Sequence, residues 1–96
     1  MFNKDYLCKK INYFLEDNNK SDNCYTVVRS IVTHGNNVII TITSIKQFDN
    51  YVNNSNFNWN SKKYEIKKIL TFKIDFNIKD NQIIFDLWLK QFRSIV

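Results

Sequence analysis

The sequence predicts an α+β domain in which one N-terminal helix packs on a curved antiparallel sheet of four to five strands. Three observations carry that expectation. Apolar residues recur at helical spacing near the N-terminus. From residue 25 onward they alternate instead, or sit among β-branched neighbours. The only glycine and an Asp80-Asn81 pair fall between such runs, where tight turns belong.

Residues 3–17 read as an amphipathic helix. Leu7, Ile11, Phe14 and Leu15 follow the i, i+4, i+7, i+8 stripe that faces a core, with Cys8 beside it. Asn3 is placed to cap the first free amides, and Asp5 lies in the first turn, where the helix dipole favours an anion. Glu16 and Asp17 sit at the wrong end of that dipole, so Asn18 and Asn19 are expected to end the helix.

Residues 25–33 and 38–46 read as two strands joined at His34-Gly35-Asn36-Asn37, with Gly35 supplying the positive φ that the turn needs. A symmetric loop sets Arg29 opposite Ile42. It gathers Val27, Ile31, Val38, Ile40 and Ile42 on a core face. The other face receives Thr26, Ser30, Thr41 and Thr43 with Val28, Val32 and Ile39. Residues 47–63 are expected to form a loop or short helical turn (Ile45, Phe48, Val52), then a short strand at Phe57 and Trp59 that turns back at residues 60–63.

Residues 64–78 read as one long strand. Tyr64, Ile66, Leu70, Phe72, Ile74, Phe76 and Ile78 lie on one face; Glu65, Lys67, Thr71, Lys73, Asp75 and Asn77 lie on the other. A two-residue turn at Asp80-Asn81 would return the chain as a further strand, with Ile78 on Ile83, Phe76 on Phe85, Ile74 on Leu87 and Phe72 on Leu89. At the level of element order this is similar to cystatin-like folds, in which a sheet wraps one long helix. No motif ties the chain to a family, and the likeness implies no function.

Ninety-six residues predict a single domain. The chain has no proline and no alanine, fifteen asparagines, and twelve lysines against two arginines. Those choices follow A/T-rich codons and point to a phage, virus, mobile element or other A/T-rich genome. They also mean that lysine and asparagine richness is weak evidence of function. Nothing in the sequence resembles a secretory leader or a membrane span, and two cysteines are too few for a disulfide scaffold. A reducing, cytoplasmic setting is therefore expected, of the host cell if the source is viral. A Cys8–Cys24 bridge is the one disulfide the order of elements would allow.

Catalytic chemistry finds no support in the residues. His34 is the only histidine and sits in a turn; no serine or cysteine has a local partner base, and no glycine-rich loop is present to cradle phosphate. Cys8, Cys24 and His34 lack the spacing of a zinc site. Asp75 opposite Asp86 in the expected hairpin would place two carboxylates about 5 Å apart, a pair for Lys73 and Lys79 to screen. The expectation is a non-enzymatic protein that needs no cofactor.

Two surfaces remain. In the expected hairpin Ile69, Ile84, Trp88 and Phe92 point away from the helix with Lys73 beside Trp88, an outward aromatic cluster suited to a protein partner or a second copy. The primary expectation is thus a small accessory protein of a phage, virus or mobile element that binds a host protein, inhibition of that protein being one way it would act, with a small enzyme as the remote alternative. The alternative is single-stranded nucleic acid held by Phe57, Trp59, Lys62, Lys63, Lys67 and Lys68. There lysines would neutralise phosphates while aromatic rings stack on bases. Residues 61–96 hold eight basic and four acidic groups, which favours a polyanion at that end.

Overall fold

The computed structural model describes residues 1–18, 24–47, 57–60 and 63–95. In chain order these form helix α1 (Lys4–Asp17), strands β1 (Cys24–His34), β2 (Asn37–Gln47) and β3 (Tyr64–Asp75), and helix α2 (Asn81–Ile95). The protein is α+β, with a three-stranded antiparallel sheet in the order β1-β2-β3. Both helices lie on one face of it. Leu7, Ile11 and Leu15 of α1 share a core with Val28, Ile31, Val38, Ile40, Ile42, Phe72 and Ile74 of the sheet and with Ile84, Phe85 and Trp88 of α2.

α1 forms as its pattern predicts. Asn3 Oδ1 accepts the Tyr6 amide at 3.0 Å, and Leu7, Ile11 and Leu15 are buried. At the other end the Asn18 amide donates to the Leu15 carbonyl and the Asn18 side chain to the Phe14 carbonyl.

The β1–β2 hairpin turns at Gly35 with φ +60°. Its register holds as far as Ser30 on Thr41 and then shifts: Val28, not Arg29, pairs with Ile42. Arg29 is the extra residue of a β-bulge, and this corrects the expected faces. Val28 joins the core under the helices. Val27 crosses to the opposite face with Tyr25 and Ile45. A second irregularity lies three residues further along β2, on its other side. Ser44 pairs with Lys68 but Ile45 with Ile66, which leaves Lys67 as the extra residue of β3. Tyr64 and Ile66 therefore leave the face that carries Leu70, Phe72 and Ile74. The central strand runs straight while both outer strands turn their apolar rows over. The sheet thus buries one face under the helices at the hairpin end and the reverse face at the far end. That far cluster holds Tyr25, Val27 and Ile45 beneath Phe57, Trp59 and Tyr64.

The strand expected over residues 83–89 is a helix, and the described residues form three strands where four to five were expected. β3 ends at Asp75. The Phe76 amide then donates to the Asn36 carbonyl at 2.8 Å, tying the chain to the hairpin turn, while Phe76 and Ile78 still pack on the core. Asp80 is a helix cap, not a hairpin corner: its Oδ1 accepts the amides of Gln82 at 2.9 Å and Ile83 at 3.2 Å. Residues 83–89 hold six apolar side chains in seven positions, so alternation and helical spacing are both satisfied there. What separates them is Phe92, which extends Ile84 and Trp88 at intervals of four. The helix buries Ile84, Phe85 and Trp88 together, whereas a strand would have left Ile84 and Trp88 on the outside.

Candidate functional site

Among the described residues β1 is an edge strand, and its outer edge is the floor of a groove of about 410 Å³. Lys4, Asp5, Cys8 and Asn12 of α1 form one wall. Phe57 and Trp59 form the other, and residues 27–32 run between them. The sequence places the walls for two separate reasons. α1 turns Leu7, Ile11 and Leu15 onto the sheet, so the positions one residue further on, Cys8 and Asn12, fall at its flank above β1. Val27 and Tyr25, sent to the reverse face ahead of the bulge, require an apolar cover that Phe57 and Trp59 supply.

That aromatic wall is well braced. The rings of Phe57, Trp59 and Tyr64 meet edge to face with centroid separations of 4.8 Å (Phe57–Trp59), 5.2 Å (Phe57–Tyr64) and 5.7 Å (Trp59–Tyr64). The Tyr64 hydroxyl also donates to the Trp59 carbonyl at 3.2 Å. The Arg29 guanidinium lies 5.8 Å from the centroid of the Trp59 ring. The bulge makes this contact: in an unbroken ladder Arg29 would face the core opposite Ile42, where its charge has no partner.

Across the groove the buried Asn12 side chain accepts the Val28 amide at 2.8 Å through Oδ1, and its Nδ2 lies 3.7 Å from Cys8 Sγ. α1 thereby satisfies the outward amide next to the bulge. Asn12→Ala removes that acceptor and leaves a buried N–H unpaired, so it is expected to destabilise the fold by about 1–3 kcal/mol. Ser30→Ala, exposed on the same strand, should change stability by less than about 0.5 kcal/mol. Urea denaturation of both variants checks the contrast, and equal midpoints would refute it.

Cys8 and Cys24 are both free thiols, so the bridge between them is not formed. Burial, and after it the Asp5 carboxylate, push the Cys8 thiol above its ordinary pKa, with Lys4 opposing. Cys8 is therefore a neutral, slow thiol in the groove wall at neutral pH.

The other expected site residues are dispersed. Trp88 and Ile84 are 0% exposed. The Trp88 ring is enclosed by Phe14, Phe72, Phe85 and Phe92, not flanked by Lys73. Phe92 is half-buried against the same core, while Ile69, 51% exposed, and Lys73 remain on the surface of β3. The five residues do not assemble into one outward cluster, because α2 carries three of them onto the helical face of the sheet. Asp75 and Asp86 likewise no longer oppose one another across a ladder. Of the lysine-aromatic surface, Phe57 and Trp59 are committed to the far cluster. Lys63, Lys67 and Lys68 are exposed, and Lys67 pairs with Glu65 at 3.1 Å. Lys62 lies outside the described residues, as do residues 48–56 of the expected loop.

Arg29, Asn12 and Cys8 are the groove residues that reasoning from sequence did not bring together. The one available signal was an arginine on a core-like face in a lysine-rich chain. Among the described residues no group of three His, Cys, Asp or Glu side chains is placed to hold a metal ion, and no helix is long and apolar enough to cross a membrane. No protein-family model, curated protein or solved structure matches this chain.

Proposed function

We propose that this protein is a non-enzymatic binding protein that holds an extended segment of a partner polypeptide along the edge of β1. The supporting observation is the groove itself: an edge strand lies at the bottom of a trough between a helix and a braced aromatic wall. Strand addition at a sheet edge draws affinity from main-chain hydrogen bonds and specificity from what the flanking walls accept. A bare edge would invite indiscriminate pairing. Here the Arg29 bulge and the Asn12–Val28 hydrogen bond restrict it, so an incoming strand must fit between α1 and Trp59. The opposite edge is less suited. Gln91 Nε2 donates to the Lys73 carbonyl of β3 at 3.1 Å, and Lys67 occupies that strand's own bulge.

The test is selection of short random peptides on an array with the purified protein, followed by mapping of the selected peptide. Cys8 lines the groove, so its alkylation by iodoacetamide in a Cys24→Ser background reports occupancy directly. The expected result is slowed alkylation of Cys8 together with slowed amide exchange at residues 28–32 when the peptide is added. Three outcomes would overturn the proposal: no peptide selected, protection confined to β3, or binding only to single-stranded oligonucleotides with steep loss in salt. The last is the signature of phosphate contacts.

A further inference from the structure

We infer that the segment held in the groove carries a carboxylate and that Arg29 receives it; this rests on the strand-addition reading above. Among the described residues, the ionisable groups lining the groove, apart from the neutral Cys8, are Lys4, Arg29 and Asp5, a cationic excess. Arg29 is exposed, and no carboxylate among the described residues pairs with it. Its contact with Trp59 fixes the guanidinium without using an N–H donor in a conventional hydrogen bond. The planar fork keeps its capacity to take a carboxylate through two parallel bonds. Trp59 is itself held by Phe57 and Tyr64, so little side-chain freedom is lost when a ligand arrives. The first turn of α1 lies on the facing wall and adds the partial positive charge of a helix N-terminus, which Asp5 offsets in part.

A bulge is the device that makes this arrangement. It sets a charged residue outside the ladder at the one place where the strand changes its buried face, and the aromatic cover of the far cluster is already there to receive it. The carboxylate has two sources, an Asp or Glu side chain within the segment or a free chain terminus.

The test takes the array-selected peptide in three synthetic forms. One is unaltered, one has each Asp and Glu replaced by Asn and Gln, and one has an amidated C-terminus. Affinity for the full chain and for Arg29→Gln and Arg29→Lys is read by fluorescence anisotropy. Arg29→Gln is expected to weaken the carboxylate-bearing peptide by about tenfold, as loss of a charged hydrogen-bonded partner does. Arg29→Lys should restore part of that loss, keeping the charge without the fork. The peptide form that lacks the recognised carboxylate should bind both proteins equally, and which form does so names the source. If selected peptides contain no recognisable carboxylate, or Arg29→Gln binds every form as the native chain does while Cys8 is still protected, the inference falls and the groove reading stands. If Cys8 is never protected, both fall.

Discussion

Trp88→Ala is expected to destabilise the protein by about 3–5 kcal/mol, the range for truncation of a fully buried large aromatic. Trp88 is 0% exposed and stands where α1, α2 and the sheet meet. Phe14 meets it edge to face at 5.8 Å from α1, Phe72 at 5.9 Å from the sheet, and Phe92 stacks on it at 5.1 Å within α2. Its removal opens a cavity at the point where both helices and the sheet meet. Trp88→Phe is the informative companion. The indole Nε1 has no hydrogen-bond partner among the described residues, so phenylalanine forfeits contact area but no polar interaction with them. It should cost well under half as much as alanine. Chemical denaturation of both variants checks this; a Trp88→Ala protein with an unchanged midpoint would mean that the ring lies outside the core.

Phe72→Ala is expected to cost a similar 3–5 kcal/mol. Phe72 of β3 is buried opposite Ile40 of the central strand and touches both Trp88 and Phe92. Thr71, its neighbour in sequence, pairs with Thr41 and is exposed on the other face. Thr71→Ala should cost well under half as much. Equal losses in denaturation would contradict the facing of β3. Because Phe72 and Trp88 are in contact, the double variant should lose less than the two single losses combined.

The candidate site was legible only in its parts. Trp59 and Phe57 stood out as aromatics amid asparagines, and Arg29 as a charge on a core-like face. Sequence spacing could not join them. A symmetric hairpin sends Arg29 inward opposite Ile42, and the side chain reaches Trp59 only once the register has slipped. Asn12 shows the same limit. On the helix it is one more polar residue beside the apolar stripe. Its function as the acceptor for the Val28 amide exists because the bulge and the helix axis meet there.

What the sequence determined by itself is what local physics decides. Asn3 and the stripe of Leu7, Ile11 and Leu15 specify α1. Gly35 specifies the hairpin turn, because its backbone conformation is open to glycine at little cost. The alternation of Leu70, Phe72 and Ile74 specifies β3 and its buried face. Tertiary structure decided whatever local preference left level. Residues 83–89 are apolar enough to serve as strand or helix. Helix prevails because it delivers Ile84, Phe85 and Trp88 to a sheet face that α1 alone leaves partly uncovered, and because Asp80 caps it. The bulges at Arg29 and Lys67 are likewise invisible to any single strand. Each costs one ladder pairing, and what offsets that cost is burial on both faces of the sheet, a quantity that exists only when all three strands are assembled.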